Sequence, residues 1–175
     1  EPLARDDLPK SLESIIRQKV QSLDEESRKL LYQASTFGED VPLSLLTGSS
    51  KIMESKVLEF VDQAVSQGLM NFDFQVNDQN LHFRGKRILE IMEEEIRPEE
   101  KQKLHDQVGK YQETLFQKFL VPSAAPLIYH FRRASNLDKA RTYEQFERTQ
   151  SLKVFNPAEA FNYSGERRRE LFPFR

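Results

Sequence analysis

Apolar residues recur along this chain at spacings of three and four, with one short stretch where they alternate. Leu12, Ile15, Ile16, Val20 and Leu23 fall on one helical face after Leu8-Pro9. Asp24 sits where its carboxylate can cap a second helix, which carries Leu30, Leu31, Ala34 and Phe37 and stops at Gly38. Pro42 suits the first turn of a short third helix through Leu46, with Gly48 and Ser49-Ser50 ending it and capping the next. Met53, Val57, Phe60, Val61 and Ala64 then stripe a long fourth helix that ends at Gly68. There the period changes to two. Met70, Phe72, Phe74 and Val76 alternate with polar residues, and Leu81 and Phe83 flank His82. The polar Asn77-Asp78-Gln79-Asn80 between these runs predicts a four-residue hairpin turn.

From Gly85 onward the helical rhythm returns. Ile88, Ile91, Met92 and Ile96 mark one helix, broken at Arg97-Pro98. Leu104, Val108, Tyr111, Leu115 and Phe119 mark a second. After Pro122 and Pro126, Leu127, Ile128, Phe131 and Ala134 mark a third, and Ala140, Tyr143 and Phe146 a fourth. The pattern weakens after Asn156-Pro157.

The order helix, helix, short helix, long helix, hairpin is that of a winged helix domain. The antiparallel helices that follow have the form of an α-solenoid, although no full repeat of roughly 34 residues is present. The expected fold is mainly α. Residues 1–7 are a frayed start, 8–84 a winged helix domain with a small β-hairpin, 85–155 a tetratricopeptide-like antiparallel array, and 156–175 a weakly structured tail or truncated helix. The apolar faces around Phe60, Val61, Tyr111 and Leu115 are expected to be internal core.

Composition narrows the chemistry. The 175 residues carry 26 Lys and Arg against 28 Asp and Glu, so a general polyanion binder is disfavoured. Hydrophobic residues are 38% and charged residues 31%, which suits thin helical layers with wide solvated faces. With no cysteine there is no disulfide, thiolate nucleophile or Cys-ligated zinc. No apolar run is long enough to span a bilayer, and no signal-peptide pattern follows the initial Glu1. The chain reads as a piece of a longer cytoplasmic protein.

Motifs for catalysis are missing. Gly48-Ser49-Ser50-Lys51 lacks the spacing of a phosphate loop and reads as a helix stop and cap. His82, His105 and His130 have no metal-ligand spacing, and His105 and His130 read as packing histidines beside apolar stripes. Glu93-Glu94-Glu95 with Glu99-Glu100 reads as a solvated capping face, and Arg167–Arg169 as an exposed basic run. No catalytic residue, metal site or cofactor is assigned. On the helix over 50–67, Lys51 and Lys56 face Glu54, Glu59 and Asp62, a net charge of −1. The hairpin adds Asp73 and Asp78 and no cation before Arg84. Duplex recognition by this surface is therefore disfavoured.

Short motifs extend the reading. Leu8-Pro9-Lys10-Ser11-Leu12, Leu30 to Gly38, Leu69-Met70, Phe83-Arg84, Leu104-His105 and Ala140-Arg141-Thr142-Tyr143 resemble the winged helix and tetratricopeptide-like region of STAND-type (AAA+-like) signalling ATPases. The resemblance spans roughly residues 8–150. It implies a non-catalytic interaction and regulatory module for signal transduction. Such a module couples an upstream NTPase domain of the same chain to helical repeats and an unidentified protein partner. The pattern departs from the family at Gly85, where a His commonly follows Phe-Arg, and at Glu93, where a Tyr is common. A His there can approach nucleotide phosphate and Gly85 cannot, which leaves Arg84 as the candidate nucleotide contact. The alternative is a winged helix DNA-binding fragment of a transcription regulator.

Overall fold

The computed structural model describes residues 7–75, 78–119 and 123–155. Within them the chain is mainly helical with one small antiparallel sheet. The elements are α1 (Asp7–Ser22), α2 (Glu25–Ser35), β1 (Asp40–Pro42), α3 (Leu43–Ser50), α4 (Glu54–Ser66), β2 (Met70–Gln75) and β3 (Asp78–Phe83). They are followed by α5 (Lys86–Glu95), α6 (Pro98–Phe119), α7 (Ala125–Arg133) and α8 (Leu137–Phe155).

The helix starts and stops follow local chemistry. Asp24 Oδ1 accepts from the Ser27 amide at 2.8 Å and caps α2 as expected. Gly68, at φ +69°, ends α4, where its amide donates to Val65 and that of Leu69 to Ala64. That paired closure needs a left-handed residue, which Gly supplies without strain. Gly48 behaves differently from expectation. It lies inside α3, which runs on to Ser50 and ends at Lys51 in the left-handed region at φ 58°. Consequently α4 begins only at Glu54, after Met53, and the serines do not cap it.

β1 has no counterpart in the periodicity. Val41 is fully buried and pairs with Leu81, so Asp40–Pro42 forms an edge strand in the sheet order β1-β3-β2. A three-residue strand is too short to show alternation. Pro42 therefore closes a strand at the sheet edge, where no amide is needed, and directly precedes α3. The hairpin is longer than its polarity suggests. Pairing continues to Gln75 opposite Asp78, so Asp78 to Asn80 are strand and not turn.

Among the described residues, two clusters of buried side chains form the core. The first contains Leu30, Leu31, Leu46, Phe60, Leu69, Met70 and Leu81, and extends to Ile88, Ile91 and Met92 of α5. α5 thus packs with the sheet and the preceding helices, although the sequence grouped it with the helices that follow. Phe60 and Val61 are buried as expected, while Tyr111 and Leu115 are half-buried. The stripe on α1 is split: Ile16, Val20 and Leu23 are buried, whereas Leu12 and Ile15 are about half exposed. The second cluster contains Phe116 of α6, Ala124 just before α7, Leu127 and Phe131 of α7, and Ala140 and Tyr143 of α8. α6 packs on α7 and α7 on α8. Gly109 lets α6 approach α7, since a methyl there would meet the Phe131 ring at 3.0 Å.

The clusters meet along α3 and α6. Tyr111 of α6 lies on Gly48 of α3. Phe37, in the turn after α2, sets its edge against His130 of α7, with centroids 5.7 Å apart.

Candidate functional site

The outer face of α4 presents Glu54, Leu58, Glu59, Asp62 and Val65 to solvent. Lys56 is held by Glu59 at 2.6 Å, so its charge is offset on the helix itself. Beside α4, Asp73 is exposed on β2. This face combines acidic and apolar groups. Such a surface offers little attraction to phosphate.

Arg84 follows β3 and is exposed. Its amide donates to the Leu69 carbonyl at 3.1 Å, and its guanidinium lies over Gly68. Lys19 of α1 donates to the Gln67 carbonyl at 2.6 Å. Two cations therefore flank the C-terminal end of α4, where carbonyls without helical partners carry partial negative charge. Arg84 thus lies beside the end of α4 within its own fold. Gly85 begins α5 in an extended conformation, and a side chain placed there would meet nothing within 4 Å.

The serines of Gly48-Ser49-Ser50-Lys51 bond inward. Ser49 Oγ donates to the Leu45 carbonyl at 2.6 Å and accepts from Gln33 Nε2 at 2.9 Å. Ser50 Oγ donates to the Thr47 carbonyl. These amides and hydroxyls belong to a helix end and form no phosphate cradle.

The acidic run does more than cap. Glu95 accepts from Arg17 of α1 at 2.6 Å and from the Tyr32 hydroxyl of α2 at 3.1 Å. Glu94 also pairs with Arg17, and Glu93 with Lys101 of α6. Burial, with Glu95 beside it, pushes the Tyr32 hydroxyl up to about 12. Glu93 and Glu94 stay exposed, as a solvated face requires, while Glu95 is largely covered, and the run also ties α5 to three helices. Arg17 and Tyr32 lie far away in sequence, so local charge patterning could not expose them. Glu99 and Glu100 do sit in the first turn of α6, as the dipole argument requires.

The histidines divide. His82 Nδ1 lies 2.6 Å from Asp40 Oδ1 across the β1–β3 edge. His105 and His130 are buried, with their Nδ1 atoms 3.0 Å apart. Packing positions were expected for both, but their direct contact was not. Burial, then His130 and the cations Arg133 and Lys101, pushes His105 down to about 3, and burial pushes His130 down to about 4. Both rings are neutral at pH 7.

A third feature was invisible in the sequence. Glu113 accepts from the Tyr143 hydroxyl at 2.8 Å and from Lys139, which also sits over the Phe131 ring. Burial and Glu113 raise the Tyr143 hydroxyl well above its usual value. This clasp fastens α6 to α8. Between α3, α6 and α7 an apolar recess of about 160 Å³ is lined by Leu45, Gln112, Leu115, Phe116 and Leu127.

Among the described residues, no group of three or more His, Asp or Glu could hold a metal ion, and no helix is long and apolar enough to cross a membrane. The Arg167–Arg169 run and Phe172-Pro173-Phe174 lie outside the described residues. No protein-family model and no curated protein matches the chain.

Proposed function

We propose that this chain is a non-catalytic interaction and regulatory module of a larger signalling ATPase. In this reading residues 8–84 with α5 are a winged helix domain, and α6–α8 begin a tetratricopeptide-like array. The observation that carries the reading is the seam at which α3 and α6 meet, with Tyr111 on Gly48 and Phe37 on His130. A side-to-side seam between two compact cores can pass a displacement of one to the other. Element order and the sheet order β1-β3-β2 support the winged helix. Mixed acidic and apolar groups on α4 support protein contact over DNA contact. The upstream neighbour is an NTPase domain of the same chain, and the downstream partner a protein. The place of action is the cytoplasm.

The test is a nucleotide titration of the full gene product that contains these residues. The reading expects ATP or ADP to bind that product and not the 175-residue chain alone. A full product that binds neither overturns it. Arg84→Ala in the full product separates the two roles of Arg84: weakened nucleotide affinity makes it a ligand contact. Unchanged affinity and turnover leave only its place at the end of α4.

A further inference from the structure

We propose that His105 and His130 form an acid-sensitive latch, at which proton uptake releases α7 from α6 and from Phe37. The geometry of the pair carries this latch, independently of any nucleotide role. Two imidazoles meet through Nδ1 atoms at 3.0 Å, and each residue is at most 3% exposed. Such a contact holds only when one Nδ1 carries a proton and the other offers its lone pair. Both rings must then be neutral, or share a single added proton.

The surroundings resist that added proton. The charged groups acting on His105 are Lys101 on α6 and Arg133 on α7, and both are cations, while His130 is held neutral by burial. Lys101 is itself bound to Glu93, whose carboxylate therefore serves the lysine. Tyr129 on α7 sets its ring edge against both imidazoles, and Phe37 covers His130 from the first core. α3, from Leu43 to Ser50, has no titratable side chain. On the α8 side, beyond Phe131, Lys139 and Tyr143 are both held by Glu113. No carboxylate faces the imidazoles among the described interactions.

Opening removes these obstacles. Once α7 leaves α6, each ring meets water and takes up a proton near its ordinary value of about 6.5. The folded pair resists protonation until about pH 4 and below. The open form thus binds more protons than the closed form between those limits. Opening becomes easier as pH falls below about 6.5, by up to about tenfold per pH unit for each ring. Phe37 loses the ring beneath it in the same step, so the two cores lose one of their contacts across the seam.

Amide hydrogen exchange on the 175-residue chain tests this, with rates converted to protection factors at pH 7 and pH 5. Amides of α7 are expected to lose at least about tenfold protection, while those of Phe60 and Val61 in α4 hold theirs. A smaller loss in α7, or an equal loss in α4, overturns the latch. The variant His105→Asn with His130→Asn keeps an amide pair near the Nδ1 positions and cannot titrate. Its α7 protection should be independent of pH, and an unchanged pH response would overturn the proposal. Should that variant fail to fold, imidazole NMR on the unaltered chain decides. Rings neutral at pH 5 in the closed form support the latch, and either ring charging near pH 6.5 with α7 still protected refutes it.

Discussion

The phenol ring of Tyr111 rests on the α-carbon of Gly48, so that any side chain at position 48 would overlap it. Gly48 lies within α3, where Ala is favoured by roughly 0.5–1 kcal/mol on backbone grounds. The close approach must therefore outweigh helix propensity. Gly48→Ala is expected to destabilise the chain when Tyr111 is present, because the ring must swing away. Tyr111→Ala alone should cost about 1–2 kcal/mol for a half-buried ring. In the Tyr111→Ala background, Gly48→Ala should become stabilising. Urea denaturation of the four proteins reads that change of sign, and a Gly48→Ala effect of equal size in both backgrounds would show that the two residues are not coupled.

Ser135 occupies a glycine position. It has φ 58° and closes α7 with its amide on Arg132 and that of Asn136 on Phe131. A side chain in this region is strained, and Gly is not. Ser135→Gly should raise stability by about 0.5–1 kcal/mol, measured by thermal or urea unfolding. Gly68→Ala, at φ +69° with Arg84 Nη1 2.9 Å from the added methyl, should lower it by about the same amount or more.

Asp24→Ala should cost about 1 kcal/mol at pH 7 through loss of the α2 cap. The Ser27 amide, followed by the Ser27 hydroxyl, holds the Asp24 carboxyl below its usual value. A depressed carboxyl stabilises the fold above its unfolded value, and that stabilisation disappears as pH falls through the folded value. The stability difference between Asp24→Ala and the unaltered chain should therefore shrink below about pH 4. Equal differences at pH 7 and pH 3 would remove the charge from the explanation.

Fluorescence anisotropy with duplex DNA at low salt should show no tight, salt-sensitive binding. The outer face of α4 keeps Glu54 and Asp62 exposed, and its Lys56 is paired with Glu59. Glu54→Lys with Asp62→Lys should bring weak binding whose salt slope reflects the added cations. Tight binding by the unaltered chain would favour the transcription-regulator reading.

Much of this fold was legible because it follows local rules. Leu30, Leu31 and Ala34 announce α2, Asp24 its start, and Gly68 the end of α4. Several features escaped for physical reasons. β1 is three residues long and has no period to read. Gly48 looks like a stop signal until Tyr111, 63 positions away, is known to need its space. His105 and His130 each look like packing residues, and only the α6–α7 contact turns them into a pair. Arg84 and Gly85 were legible as positions, yet the role of Arg84 depends on α4 ending beside it.

The central claim is that the α3–α6 seam passes a change in the first core to the helices beyond it. Hydrogen exchange on the full gene product, with and without nucleotide, measures that transmission directly. The account predicts nucleotide-dependent protection in α1–α5 and also in α6, with the α6 response lost and the α1–α5 response kept in Tyr111→Ala. Protection that is identical with and without nucleotide in both regions, or an α6 response untouched by Tyr111→Ala, would contradict it.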